Sequence, residues 1–460
     1  MRNVRTISRM AMALAIALAL LPSRAVALER LCDTAYENCR TPLLTLIKNE
    51  KVGIDVAFWF MTDSTVSSAL ISRWKAGIPI RVLMDSEARI NHPGNVPVLA
   101  ALKSAGIPMR EKTAGGILHW KTMIFYGQNT VEFSGANFTA SEFIPAVPYQ
   151  NYDDEVIMFT HDPKLVGSFK KKYDDVWATK TGYSNYANVT TLARQHPVVS
   201  QDPELNFPPS ENYRTRAVAR YTAETAGIDV NMFRITDRAH ADAMIAAHRR
   251  GVKVRLITDP SEYRNPDRVW HSYNVDRMYV AGIPLKMINH AGLNHEKLVL
   301  LKAQDMAIFG SSNWSSPSAA FQLEHNIFTK RQHLVDWFRA HWNRKWNNTG
   351  PYKETKNFTP LGPNVPRLVS PASGAAVSTT VRLKWYGGRW AHKYDVYVGT
   401  SSGSMTKVVS NRELGPSITN ETYQSVSISS LKTNTTYYWK IVGKTMANKT
   451  ATSVTRSFTT

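Results

Sequence analysis

Two histidine–lysine pairs carry the chemistry available to this sequence. His119-Trp120-Lys121 and His295-Glu296-Lys297 each set an imidazole and an ammonium two residues apart. On an extended strand, residues i and i+2 share a face, so the two groups stand side by side. An asparagine follows each histidine after 18 residues, Asn137 and Asn313. Both close turns of small residues, Ser134-Gly135-Ala136-Asn137 and Gly310-Ser311-Ser312-Asn313. A chain that turns there and returns on a neighbouring strand can bring the asparagine to the same face. Each set then offers a titrating group, a fixed positive charge and a neutral donor, a combination suited to a phosphodiester anion. Two sets facing each other would put one imidazole on each side of phosphorus.

The elements that must position these residues are duplicated. Gly53-Ile54-Asp55-Val56 returns as Gly227-Ile228-Asp229-Val230, and Thr62-Asp63, Gly77, Arg81 and Asp85 recur at Thr236-Asp237, Gly251, Arg255 and Asp259. Ala105-Gly106-Ile107-Pro108 comes back as Ala281-Gly282-Ile283-Pro284, and Glu155, Phe169 and Trp177 as Glu324, Phe338 and Trp346. Two long copies with small shifts in offset make a duplicated domain, not a solenoid. Each copy reads as an apolar strand, a helix capped by Thr-Asp and stopped by glycine, a second strand, and a third strand holding the histidine. Alternation of this kind predicts a mixed, largely parallel sheet covered by helices. Phe169, Tyr173 and Trp177, like Phe338, Trp342 and Trp346, recur every four residues and read as core packing. Trp120 and Trp314 read as core or as contacts to a bound ligand. Arg81 with Asp85, and Arg255 with Asp259, read as strand-end salt bridges, and His290 as a loop histidine.

The chain has 460 residues, 43% apolar and 20% charged, enough hydrophobic mass for two or three folded domains and the wrong composition for a disordered tail or a coiled coil. Lys and Arg number 56 against 36 Asp and Glu, a formal charge of +20 that favours an anionic partner. Arg2, Arg5 and Arg9, the apolar run Met10 to Leu21 and the triplet Ala25-Val26-Ala27 have the layout of a signal peptide cleaved after Ala27. That segment carries four arginines and no acid, so the remainder keeps +16 and is expected to be secreted or periplasmic. Cys32 and Cys39 are the only cysteines. In an oxidising compartment they close a small local loop, and two cysteines alone cannot build a tetrahedral zinc site.

After the second copy the texture changes. The segment 349–366 holds Pro351, Pro360, Pro363 and Pro366 and reads as a linker. Short alternating runs follow, such as Val381-Arg382-Leu383-Lys384-Trp385, which predict an all-β sandwich. Leu431 to Tyr437 resembles the fibronectin type III signature, with Tyr437 at the place of that family's corner tyrosine.

The duplicated H-x-K triplet followed by a small-residue turn ending in Asn resembles the phospholipase D superfamily over about residues 40 to 350. The fold class implied is α/β, with two pseudo-repeated lobes and the C-terminal β-sandwich. The expected domains are the signal peptide 1–27, lobe 1 over 28–195, lobe 2 over 196–348, the linker 349–366 and the sandwich 367–460. The motif departs from the family at its aspartate, which is Tyr126 in the first copy and Lys302 in the second.

The resemblance implies that one imidazole attacks phosphorus to form a phosphohistidine while the other protonates the leaving group and then activates water. Lys121, Lys297, Asn137 and Asn313 would hold the non-bridging oxygens. Glu155 and Glu324 occupy the family's place for the carboxylate that holds the far ring nitrogen of a catalytic histidine. By analogy His119 is the nucleophile and His295 the acid, and neither a cofactor nor a metal is called for. The expected function is a secreted phosphodiesterase acting on phospholipids. Both half-sites lie on one chain, so a monomer suffices, and the positive charge suits an anionic membrane surface. The same residues fit a metal-independent nuclease, because the site recognises only a phosphodiester. The missing motif aspartates leave an inactive binding or adhesion protein as a third reading.

Overall fold

The computed structural model describes residues 29–413 and 423–460. The expected signal peptide lies outside the described residues. The first lobe is an eight-stranded sheet of β1 (Glu29–Asp33), β2 (Ile54–Phe58), β3 (Ile80–Asp85), β4 (Met109–Lys112), β5 (Lys121–Phe125), β6 (Thr130–Ser134), β7 (Val156–Thr160) and β8 (Tyr183–Ala187). Their order across the sheet is β1-β7-β6-β5-β2-β3-β4-β8. The second lobe contains β9 (Leu205–Asn206), β10 (Gly227–Met232), β11 (Lys253–Thr258), β12 (Leu285–Ile288), β13 (Lys297–Leu301), β14 (Met306–Gly310), β15 (Asn326–Thr329) and β16 (Thr355–Asn357). Read from the β9 edge, its order is β9-β15-β14-β13-β10-β11-β12-β16, the topology of the first lobe over again. In both lobes only the run through β2-β3-β4 or β10-β11-β12 is parallel and every other pairing is antiparallel, so the sheets are mixed but, against the expectation, mostly antiparallel, because the chain continues past the helix-linked strands in hairpins.

Local chemistry repeats with the topology. Asp63 and Asp237 accept backbone N–H bonds at the starts of the helices Ser64–Lys75 and Arg238–Arg249. Gly77 and Gly251 follow those helices at φ of 84° and 90°, a left-handed turn that a side chain would strain. The buried carboxylates of Glu50 and Glu224 each accept N–H bonds from two loops at the same end of their lobe.

Phe169, Tyr173, Trp177, Phe338 and Trp342 are buried, with Trp346 packed against them, and the hydrophobic cluster they join runs continuously from one lobe into the other. Trp120 and Trp314 are fully buried, the core reading of the two given above. Cys32 and Cys39 are disulfide-bonded.

Two further expectations are corrected. The segment 349–366 is not linker throughout: Thr355–Asn357 pairs antiparallel with β12 and closes the second sheet, as β8 closes the first, and Phe358 beyond it is buried in the lobe 2 core. Prolines flank this strand without entering it, which is why composition hid it. Arg81 and Arg255 do not pair with Asp85 and Asp259. They make bidentate bonds to Asp55 and Asp229 on the adjacent parallel strand, because the register sets those side chains directly opposite.

Among the described residues beyond 366, every element is a strand. A three-stranded sheet and a six-stranded sheet enclose Trp385, Tyr394, Trp439 and Phe458. The Tyr437 hydroxyl accepts the Lys432 N–H at 3.0 Å, bracing the corner before its own strand.

Candidate active site

The two histidines are held across the lobe boundary. His119 Nδ1 is 2.8 Å from Glu324 Oε2, and His295 Nδ1 is 2.7 Å from Glu155 Oε1. Each lobe therefore supplies the carboxylate that orients the other lobe's imidazole, leaving Nε2 of both rings for chemistry. Neither lobe builds a complete half-site alone.

The histidines stand just before β5 and β13, not within them, and Lys121 and Lys297 are the first residues of those strands. The reason is again the boundary: the His119 N–H donates to the Leu323 carbonyl of the other lobe, outside the lobe 1 ladder. Asp85 and Asp259, freed from the expected salt bridges, accept the N–H of Leu118 at 2.6 Å and of Asn294 at 2.7 Å, the residue before each histidine. An aromatic ring from beyond the central strand lies against each imidazole, Trp59 on His119 and Phe233 on His295. Lys121 Nζ donates to the His119 carbonyl, and Lys297 Nζ to the His295 carbonyl and to Glu155. Asn137 is held by Glu142, whose carboxylate accepts from its backbone N–H at 2.6 Å and its side-chain amide at 2.9 Å. The buried side-chain oxygens of both Asn137 and Asn313 are unpartnered.

Tyr126 and Lys302, in place of the motif aspartate, lie at the opposite end of β5 and β13 from the histidines. The Arg81 guanidinium donates to the Tyr126 hydroxyl, and Lys302 Nζ is 3.1 Å from Asp229. The carboxylate at this place comes from Asp55 or Asp229 on the neighbouring strand, so the substitutions leave no gap in the fold. His290 stacks on Tyr152 with ring centroids 3.8 Å apart.

The environment splits the two half-sites electrostatically. Burial pulls His119 well below the usual imidazole range, and Lys121, Lys297, His295 and Arg234 add to the effect. Burial and Lys297 act on His295 in the same sense, but Glu142 and Glu155 outweigh them and hold it above that range. Burial raises Glu324 to about 8 against the opposing pull of Lys121, Ser311 and Ser318. Burial lowers Lys121 to about 7.

Among the described residues, three clusters combine histidine and carboxylate ligand atoms at cation-binding separations. Built-in cations already hold two of them. Lys345 Nζ reaches Asp154, Glu296 and His341, and the Arg81 guanidinium bridges Asp55 and Asp174. The third, Glu142, Glu155 and His295, is the half-site itself with Lys297 against it.

A cavity of about 530 Å³ opens on His119 and Asn313, walled by Trp59, Ile117, Trp270 and Pro317 with the guanidinium groups of Arg234 and Arg268. Glu87 and Asp267 complete the wall, so apolar, cationic and acidic side chains all border His119.

The family description "Cardiolipin synthase, PLD-like domain" matches residues 43–177 and 222–346, more than half of the chain and one segment in each lobe. The chain belongs to this PLD-like family. It is 25% identical over 149 residues to the human mitochondrial cardiolipin hydrolase, covering 32% of this chain and 57% of that one. A relative of the same name from Chlamydomonas reinhardtii is 24% identical, covering 27% and 52%. The chain thus spans little more than half the length of these curated relatives. Among solved structures, phosphatidylserine synthase of Haemophilus influenzae superimposes with a TM-score of 0.54 at 13% identity, covering 72% of this chain and 87% of that one. Polyphosphate kinase of Porphyromonas gingivalis gives 0.51 at 13% identity, covering 72% and 48%. At such identities the likeness is one of fold. The PLD-like fold accounts for the duplicated sheets, while the roles of individual side chains rest on the geometry above.

Sequence reasoning named His119, Lys121, Asn137, Glu155, His295, Lys297, Asn313 and Glu324, and the fold gathers all eight at the lobe boundary. It did not find Glu142, Ser311, Trp59, Phe233, Arg234 or Arg268, nor the use of Asp85 and Asp259. The repeat carried a signal for Asp85 with Asp259 and for the strand-end aromatics. Glu142 carried none, because its counterpart is a serine.

Proposed function

We propose that the protein is a phospholipase D-type phosphodiesterase that hydrolyses phospholipid phosphodiester bonds through a phosphohistidine. The reading is supported above all by two imidazoles, each fixed through Nδ1 by a carboxylate of the opposite lobe, with a lysine beside each. His119 Nε2 attacks phosphorus and the bond to the leaving oxygen breaks. His295 gives its Nε2 proton to that oxygen. Water then attacks the phosphohistidine and passes a proton to His295, and the P–N bond breaks with its electrons returning to His119. Lys121, Lys297, Asn137 and Asn313 hold the non-bridging oxygens, and fixed donors of this kind are worth about 10²–10³-fold each in rate.

The protein acts after export, as a monomer, with residues 367–460 as a fibronectin type III-like appendage. Phospholipid is favoured as substrate by the apolar walls of the cavity, among them the partly exposed Trp270. The test offers purified protein, in chelator, to phospholipid vesicles and separately to DNA. Release of a free headgroup alcohol is the expected result. Cleavage of DNA alone would move the assignment to a nuclease, and rescue of a chelator-silenced enzyme by a divalent metal would overturn the mechanism.

A further inference from the structure

The repeat makes the two half-sites look equivalent, yet the reaction requires them to differ. The structure shows where they do. Asn137 and Asn313 are counterparts, and five residues beyond them stand Glu142 in the first lobe and Ser318 in the second. Two residues before them stand Gly135 and Ser311.

These exchanges change the charge around each imidazole. Glu142 Oε2 is 3.2 Å from His295 Nδ1, so His295 faces two carboxylates, Glu142 and Glu155, and one ammonium, Lys297. Around His119 the direct carboxylate, among the described residues, is Glu324 alone, with Lys121 beside it and hydroxyls where the first lobe has Glu142 and Gly135. Ser311 Oγ donates to Glu324 Oε2 at 2.5 Å. A side chain at Gly135 would place its Cβ 2.6 Å from Glu155 Oε1, so glycine is what lets Glu155 come forward to His295 and Lys297.

Charge buried in a low-dielectric boundary must balance locally. With Lys121 and Glu324 both charged or both neutral, the His119 side balances when its imidazole is neutral, and with Lys297, Glu142 and Glu155 charged the His295 side balances only when its imidazole carries a proton. The other charged side chains lining the cleft are Arg234, which is engaged by Glu262, and Arg268, Glu87 and Asp267, two cations and two acids that offset one another. We propose that Glu142, standing where the second lobe has Ser318, is the positioning residue that assigns the general-acid role to His295 and leaves the attacking role to His119. The direction of the shifts at both histidines agrees with this count. The proposal rests on the phosphodiesterase reading for its chemistry, but not for its electrostatics.

The experiment titrates the imidazoles of the intact protein by histidine-selective nitrogen-15 NMR, with His119→Ala and His295→Ala supplying the assignments. His295 is expected to keep its proton to higher pH than His119. In Glu142→Gln, which keeps the shape and hydrogen-bonding reach of the side chain, the His295 midpoint falls by about 1–3 pH units, the effect of removing an opposite charge at this distance. Glu142→Asp restores most of the loss. In the exchange Glu142→Ser with Ser318→Glu, the higher midpoint moves to His119, and covalent label trapped from substrate moves from His119 to His295. His119 titrating above His295 in the wild type, or His295 indifferent to Glu142→Gln, overturns the proposal. A protein that turns over no phosphodiester but titrates as described would overturn the functional reading and leave this inference standing.

Discussion

The half-sites built around His119 and around His295 share a backbone and differ in a few side chains. Both histidines precede a central strand, have a lysine two residues on, hang from an aspartate-bound N–H and meet an aromatic ring. One then faces a single carboxylate with hydroxyls, the other a pair of carboxylates. Duplication supplies two copies of one arrangement; under the proposed mechanism, the departures from duplication assign attack to one copy and proton donation to the other.

The sharpest way to break the comparison is to remove each imidazole in turn. His119→Ala is expected to abolish turnover of every substrate. His295→Ala should lose about 10²–10⁴-fold on a phospholipid, the usual worth of a general acid, and much less on a substrate with a good leaving group such as p-nitrophenolate. Equal loss on both substrates would deny His295 the acid role.

The next effect concerns pH. Glu324, raised to about 8, must be ionised to accept the Nδ1 proton of His119 and leave Nε2 with its lone pair. The charged form is present above that value, so kcat rises as pH climbs toward about 8. Lys121, pulled down to about 7, loses its charge over the same range, and KM for the anionic substrate rises with it. The His295 proton, kept by Glu142 and Glu155, sets the alkaline limb. Glu324→Gln should flatten the acid limb of kcat, and Glu155→Gln should move the alkaline limb to lower pH. Steady-state profiles of the two variants that shift the same limb would contradict the cross-lobe pairing.

The asparagines offer a finer comparison. Asn137→Ala removes the side-chain amide bonds to Glu142 as well as a donor, leaving the backbone N–H bond in place, whereas Asn313→Ala removes a donor alone. Both should lower kcat by about 10²–10³-fold, and only Asn137→Ala should also displace the alkaline limb. Identical pH profiles would mean that the Asn137 side-chain amide does not hold Glu142 in place.

The smallest effect is expected from the C-terminal sandwich. A chain ending at Pro360 retains β16 and the buried Phe358 and should keep turnover on a soluble substrate. One ending at Asn348 loses both, together with Glu354, which binds Arg344 and Tyr152, and should melt at lower temperature. Thermal unfolding of the two chains, side by side, checks the boundary.

Much of this was legible in the residues. The repeat gave away both lobes because identical strand ends and turns need identical residues, as Asp63 with Asp237 and Gly77 with Gly251 show. The eight named site residues were legible because they come in pairs. The pairing of His119 with Glu324 and of His295 with Glu155 was not, since it depends on how two sheets meet over a shared hydrophobic core. Asp55 rather than Asp85 as the partner of Arg81 is a matter of strand register, which periodicity alone does not reveal. Glu142 was invisible for the opposite reason: what matters about it is that it does not repeat.

The central claim is a covalent phosphoryl transfer to His119, and trapping tests it most directly. Wild-type protein and His295→Ala are mixed with a substrate labelled on the retained phosphoryl group and bearing a good leaving group, quenched without acid, and digested for peptide mapping. The account predicts a base-stable, acid-labile adduct on the peptide carrying His119, accumulating in His295→Ala and absent from His119→Ala. Label on the peptide carrying His295 in the wild type, or no adduct in any form of an enzyme that turns over, would contradict it.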